Sequence, residues 1–292
     1  MIISPFRQLS ETVSLGYVAS MPDAGVERAA AAIARADALL IGAGAGMSVD
    51  AGIPAYRLNP PNERGVAPAP LGALIPLLFR SEPELAWGRA VQQLDQFRRA
   101  TPHRGYEVLR RWSRRMRSGA FVLTSNVDGM FQAAGFPGDN ILEGHGSMHF
   151  VQCTRACTQR VWRIDESALP VVSKTGYASP PLPRCPDCGD DARPNVFMFG
   201  DQHFNGERAE AQGRSLEAWL TRARGQRFVV IECGAGTAVP TIRQKCQAYA
   251  QELSAPLVRI NVAESHADDG VIRLPLRAEV ALERIDALLS RQ

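Results

Sequence analysis

The sequence predicts an α/β fold: a Rossmann-like parallel sheet with helices on both faces, plus a smaller domain made of two insertions. Three observations carry this. Short apolar runs end abruptly in polar or glycine-rich residues, stretches of helical periodicity alternate with them, and two close cysteine pairs enclose a proline-rich segment. With 292 residues, the chain buries a large core without needing staples.

Asp23 to Ala36 is alanine-rich, with Val26, Ala30, Ile33 and Ala34 at helical spacing and Asp23 placed to cap the start. Ala38 to Ile41 reads as a buried strand that runs into Gly42-Ala43-Gly44-Ala45-Gly46. Four prolines between Leu58 and Pro70 mark a loop, and from Glu84 to about Ser118 the period is helical. Phe121 to Thr124 is a second buried strand, Gly129 to Ala134 a short helix, and Asn140 to Glu143 leads to another strand end. Cys153 to Cys188 has little helical character and is too small to fold on a core of its own. Beyond it, the β-rich runs Phe228 to Glu232 and Leu257 to Asn261 alternate with helices near Glu207 to Arg222, Pro240 to Glu252 and Arg277 to Ser290. The expected division is a nucleotide-binding domain from 1–57, 118–150 and 194–292, a loop and helical insertion over 58–117, and a cysteine-bounded insertion over 151–193.

Composition narrows the classes. With 22% charged residues and a formal charge of +3 spread along the chain, neither a disordered segment nor the basic stripe of a nucleic-acid binder is expected. Only Lys174 and Lys245 are lysines. No run approaches the roughly 20 apolar residues of a membrane span, and Met1 to Ser20 lacks the pattern of an export signal. The expectation is a soluble cytoplasmic protein with no membrane partner.

Six cysteines are too few for a disulfide scaffold in a chain this long. Cys153 and Cys157 are separated by three residues and Cys185 and Cys188 by two, with 27 between the pairs. Four thiolates at such spacing close a tetrahedral zinc site and leave no position for a reactive water, so one structural zinc is expected there. Residues 151–193 are then a zinc-binding insertion. Cys233 and Cys246, in a strand and a helix, read as core residues.

The glycine loop after the first strand suits close approach of backbone to a phosphate, helped by the N–H groups of a helix start. The residues that follow match no standard dinucleotide fingerprint, and no acidic residue stands about 20 positions on to hold a ribose, which disfavours a plain NAD dehydrogenase. Asn126 and Asp128 lie just past a strand, where an amide and a carboxylate suit a carboxamide and a ribose hydroxyl. His145 lies between two glycines after a strand, so its ring is expected free of bulky neighbours and its near-neutral pKa suits proton abstraction from a hydroxyl.

Gly44-Ala45-Gly46-Met47-Ser48 through Gly52-Ile53-Pro54-Ala55-Tyr56-Arg57 resembles the sirtuin signature G-A-G-x-S…G-I-P-x-F-R. Thr124-Ser125-Asn126-Val127-Asp128 is similar to that family's T-Q-N-I-D, Glu143-Gly144-His145-Gly146-Ser147 to its E-L-H-G-S, and Arg193-Pro194 through Phe199-Gly200-Asp201 to its R-P…F-G-E. Asn261 falls where the family ends a late strand in asparagine. The resemblance implies an NAD-dependent protein lysine deacylase, a transferase that releases nicotinamide and O-acyl-ADP-ribose and acts on an acylated lysine of a protein or peptide. It implies His145 as general base, with Asn126 and Asp128 catalytic beside it. It further implies a cofactor site of Gly44, Ala45, Gly46, Ser48, Gly52, Ile53, Tyr56, Arg57, Ser125, Asn126, Asp128, His145, Gly234, Ala235, Gly236 and Asn261. Arg57 would order the loop after it and Tyr56 shield the reacting carbon.

Three departures stand out. Ala55 replaces an aspartate, Ser125 replaces a glutamine, and Cys233-Gly234-Ala235-Gly236-Thr237-Ala238-Val239-Pro240 stands where the family carries G-T-S-L-x-V-x-P. They keep open mono-ADP-ribosylation or NAD hydrolysis on the same fold, and a non-catalytic NAD-sensing module. Retention of His145 favours deacylation.

Overall fold

The computed structural model describes residues 24–54, 76–198, 200–263 and 270–291. Helix α1 (Ala24–Ala34) buries Val26, Ala29, Ala30 and Ile33 and leads into strand β1 (Ala38–Ala43). One helical turn, α2 (Gly46–Val49), follows, then α3 (Leu78–Ser81), α4 (Pro83–Arg99) and α5 (Arg104–Arg115). Next come β2 (Ala120–Thr124), α6 (Met130–Ala133), β3 (Ile141–Glu143), β4 (Gly146–Cys153), β5 (Val161–Arg163) and β6 (Ala192–Val196). The chain closes with α7 (Glu207–Arg222), β7 (Phe228–Cys233), α8 (Thr241–Glu252), β8 (Leu257–Ile260), β9 (Ile272–Leu274) and α9 (Ala278–Leu289).

Six strands form one sheet in the order β3-β2-β1-β7-β8-β9, every pairing parallel. β1, β2 and β7 are buried along their whole length, because a parallel sheet covered on both faces has no wet side. The alternation within β1 shows the two faces. Leu39, Ile41 and Ala43 pack with residues of α1, α4, α5 and α9, whereas Ala38 and Leu40 pack with residues of α7 and α8. Each such Leu or Ile contributes about 1.5–3 kcal/mol by leaving water. One charged pair lies inside the sheet: Glu232 and Arg259 are register partners in β7 and β8, with two hydrogen bonds of 2.8 and 3.1 Å and at most 1% exposure.

Strands β5-β4-β6 make a second, antiparallel sheet. It draws β4 from Gly146 and β6 through Val196, so its strands run past the boundaries expected at 150 and 194. Helix α4 lies on the residues this sheet carries: Trp87 Nε1 donates to the Ala192 carbonyl at 3.0 Å and the Ala178 N–H to that of Glu84 at 2.9 Å. A Cβ at Gly88 would stand 1.9 Å from the Gly176 oxygen, so only glycine permits this contact. No helix among the described residues is long and apolar enough to cross a membrane.

Candidate active site and metal centre

Strand register brings the motif residues together. Glu143, Thr124, Ala43, Cys233 and Ile260 are successive register partners, one row across the carboxyl edge of the sheet. The residues after that row are Gly144-His145, Ser125-Asn126, Gly44, Gly234 and Asn261. Strand order turns around between β1 and β7, and the crevice outside such a switch point is where open α/β sheets bind ligands.

At that switch point two loops touch. A Cβ on Gly44 would lie 2.7 Å from Ala235 Cα, and one on Gly46 2.7 Å from Gly234 Cα. Gly234 has φ of +62°, and a Cβ there would be 2.3 Å from the Gly46 carbon and the Met47 nitrogen. Two backbone bonds tie the loops, Gly44 N–H to the Cys233 carbonyl and Gly46 N–H to that of Gly234, each 3.0 Å. The sequence suggests phosphate approach as the reason for these glycines; the structure adds one internal to the fold. The helix start expected to favour an anion is the four-residue α2, whose N-cap Ala45 offers no side-chain cap.

Ser48 is the centre of a buried polar network. Its hydroxyl donates to Asp128 Oδ2 at 2.6 Å and accepts from Asn126 Nδ2 at 3.1 Å. Because the single hydroxyl proton goes to Asp128, the Tyr106 hydroxyl at 3.2 Å is the donor in that pair. Asp128 Oδ1 accepts from the Met130 N–H at 3.0 Å, so both carboxylate oxygens are engaged inside the protein. Burial pushes the Asp128 carboxyl above its usual range, while the bonds from Ser48 and Met130 pull it back. Burial and the nearby Asp128 push the Tyr106 phenol well up, keeping it protonated as a donor. Asn126 spends its amide on the Gly44 carbonyl at 3.0 Å and on Ser48, which leaves Oδ1 as the atom without a partner among the described residues. Tyr106 is a residue that sequence reasoning misses: 58 positions from Ser48 and on the buried face of α5, it carries no signal beyond that of a core residue.

His145 sits between β3 and β4 and is half-buried. Contrary to expectation it has a bulky neighbour: its ring lies 6.1 Å, centre to centre, from that of Phe197, which in turn packs at 5.3 Å on Phe204. The Phe197 N–H donates to the His145 carbonyl at 2.9 Å, which brings the two rings side by side even though glycines flank the histidine. Burial, and next the Lys245 cation, hold its imidazole below the ordinary histidine range, so the ring is neutral at neutral pH. Glu143, two residues before it, is 1% exposed and paired with Arg208, whose guanidinium also lies 4.0 Å over the Phe150 ring.

Other expected residues serve the loops themselves. Asn261 donates to the Ala235 carbonyl at 2.8 Å and accepts from the Ala263 N–H at 3.0 Å, so its side chain knits the ends of β7 and β8. Ser125 holds its loop through its N–H to the Ala43 carbonyl at 3.2 Å. Ile53 is buried, a Cβ placed on Gly52 or Gly236 would meet nothing within 4 Å, and Gly52 has φ of +85°. Asp23, Ala55, Tyr56, Arg57, the loop from Leu58 to Pro70, and Phe199 lie outside the described residues. Arg193 and Asp201 form a buried two-bond ion pair at 2.8 and 2.9 Å that anchors the turn through Gly200.

The four cysteines of the insertion converge. Their Sγ atoms all lie within 4.8 Å of one another, with Cys153–Cys188 at 3.7 Å and Cys157–Cys185 at 3.6 Å. Four sulfurs about 2.3 Å from one tetrahedral ion stand about 3.8 Å apart, so the donor set fits zinc. Cys233 and Cys246 are fully buried away from this cluster, as expected of core residues.

A model of the Sir2 family matches residues 44–215. The NAD-dependent protein deacylase of Aeropyrum pernix is 29% identical over 246 residues, 83% of this chain and 88% of that protein. The NAD-dependent protein deacylase of Thermus thermophilus is 34% identical over 174 residues, 57% of this chain and 61% of that protein. Among solved structures, a Sir2 homolog–NAD complex superposes with a TM-score of 0.67 at 21% identity, over 91% of this chain and 94% of that one, a likeness of fold.

Proposed function

The chain belongs to the Sir2 family, and from that premise we propose that it removes acyl groups from protein lysines with NAD as co-substrate, giving nicotinamide and O-acyl-ADP-ribose. The observation that carries the reading is His145, a half-buried, neutral imidazole just past β3 at the carboxyl edge of the sheet, where the row of motif residues ends. Bound NAD supplies a ribose carbon whose bond to nicotinamide breaks as the acyl oxygen of the lysine amide attaches. His145 would then take the proton of a ribose hydroxyl, whose oxygen bonds the acyl carbon. The carbon–nitrogen bond to lysine breaks, the amine leaves with a proton, and one water adds to the acyl carbon to release O-acyl-ADP-ribose. Asn126 presents Oδ1 to a donor on the cofactor, and Ser48 and Asp128 hold it in place. Tyr56 and Arg57 are assigned to the cofactor as the motif implies. Gly44, Gly46 and Gly234 bring the two loops close enough to form one cofactor wall.

Cys153, Cys157, Cys185 and Cys188 hold one zinc ion that shapes the insertion and takes no part in the reaction. The partner is an acylated lysine in an extended protein segment, paired at the turn near Gly200 and the Gly234 to Val239 loop, and six cysteines without a disulfide suit a reducing cytoplasm.

The test is a mass-spectrometric time course of the protein with NAD and peptides bearing acetyl, succinyl and longer acyl-lysines. Free lysine appearing together with O-acyl-ADP-ribose is the expected result, and His145→Ala should lower that rate by roughly 10²–10⁴ while NAD still binds. ADP-ribosylated protein or bare ADP-ribose in their place would overturn deacylation and leave the family standing.

A further inference from the structure

His149 lies on β4, four residues after His145, outside every motif named above. Its Nε2 is 3.2 Å from the Asp128 carbonyl oxygen, and its Nδ1 is 2.9 Å from Glu166 Oε1. Glu166 opens the short 3-10 turn Glu166–Ala168 of the cysteine-bounded insertion, and its other oxygen is gripped by Arg98 of α4 through Nε at 3.0 Å and Nη2 at 2.8 Å. The ring also lies against the loop. Gly129 has φ of +73°, and a Cβ there would stand 2.9 Å from His149 Cδ2 and Nε2. Both partners of the imidazole only accept hydrogen bonds, so each ring nitrogen faces an acceptor.

We propose that His149 is a positioning residue for the NAD-binding loop Ser125 to Gly129, clamped by Glu166 and Arg98 so that Asn126 meets the cofactor in a set orientation. The chain Arg98–Glu166–His149–Asp128 joins four segments, α4, the cysteine-bounded insertion, β4 and the loop itself, and adds to the Met148 N–H bond to the Val127 carbonyl that already ties β4 to the loop. The side chains of Ser48 and Asp128 fix the loop from below, and the His149 ring fixes its backbone from the side of the small sheet. This inference rests on the proposed NAD reaction for its meaning, but its measurement does not need the acyl acceptor.

Calorimetric titration with NAD tests it on the zinc-loaded protein. His149→Ala should weaken NAD binding about tenfold, the size of one lost charge-assisted hydrogen bond, while the zinc content stays at one per chain and the peptide KM moves by less than about twofold. In His149→Gln the new amide can donate to Asp128 but turns its oxygen on Glu166, so binding should weaken similarly. The double variant His149→Gln/Glu166→Gln restores a donor to that oxygen and should recover most of the affinity. Recovery separates positioning from simple loss of packing. Unchanged affinity in His149→Ala, or an affinity the double variant fails to recover, would overturn the proposal. NAD binding without deacylation in the wild type would sink the reaction and leave this test intact.

Discussion

The two sheets are held together by different physics. In the large sheet, β1, β2 and β7 are buried from end to end, and the loops at its carboxyl edge are locked backbone to backbone, down to 2.3 Å for a hypothetical Cβ at Gly234. In the cysteine-bounded insertion β5 is only partly covered, Val171 is 76% exposed, and ion pairs such as Arg155–Asp190 and Arg160–Asp187 lie at the surface, where each is worth little. The large sheet is ordered by apolar burial throughout, whereas the insertion sends only a few residues such as Ile164, Ala178 and Leu182 to that core and is otherwise gathered by its four sulfurs. His145, the proposed base, stands at their join, so its placement depends on both.

The largest test of this contrast is metal removal. Cys185→Ser, or a strong chelator, should abolish zinc binding, for which the apparent free energy at structural sites is on the order of 10 kcal/mol. Hydrogen exchange should then rise across 154–191 while the amides of β1 and β7 stay protected; equal loss in both regions would break the contrast. The next effect belongs to the large sheet. Gly234→Ala forces both a left-handed backbone and a backbone clash, and should cost roughly 3–5 kcal/mol, whereas Gly236→Ala, with open space around it, should stay within about 0.5 kcal/mol in denaturant unfolding.

Ser48→Ala leaves buried Asp128 and Tyr106, and half-buried Asn126, short of one partner, and should destabilise by about 1–3 kcal/mol and weaken NAD binding with zinc retained. Thermal unfolding and calorimetry read the two effects separately. The smallest effect is electrostatic. A base must be deprotonated, and the His145 pKa is depressed, so the acid limb of the rate profile should fall below the ordinary histidine value of about 6.5. The folded state also binds this proton less readily than the unfolded chain, so stability is lost as pH falls from the unfolded value through the depressed one. Lys245→Gln removes the cation that adds to the depression and should move the limb to higher pH. An acid limb that does not move on this change would remove the Lys245 field from the account of His145.

What the sequence made legible follows the same divide. The buried strands announced themselves as apolar runs, and the helix expected over Glu207 to Arg222 has those bounds. β6 did not: Ala192-Arg193-Pro194-Asn195-Val196 contains a cation, a proline and an amide, and it is buried only because Asp201 pairs with Arg193 while Gln152 and the Asn205 carbonyl take the Asn195 amide. β5 and β9, three residues each, are too short for a period to show. The cysteine spacing told of the metal directly, since ligand type and interval are local. The contacts of Ser48 with Tyr106 and of His149 with Glu166 join residues 58 and 17 positions apart, and nothing in the intervening chain encodes them.

Cys153 and Ala192 are register partners on neighbouring antiparallel strands, and between them the chain adds β5 to the same sheet before the excursion from Arg163 that returns at Ala192. Such a port tolerates cargo. Each doubling of a flexible excursion adds only about 0.6 kcal/mol of closure entropy, provided the four thiols and Glu166 keep their places. Divergence in length among relatives, or a reporter grafted by an engineer, is therefore best accommodated at the exposed Lys174 and Thr175, provided Gly176 and Ala178 keep their places on α4. The same addition in the loop from Ser125 to Gly129 would displace the chemistry itself.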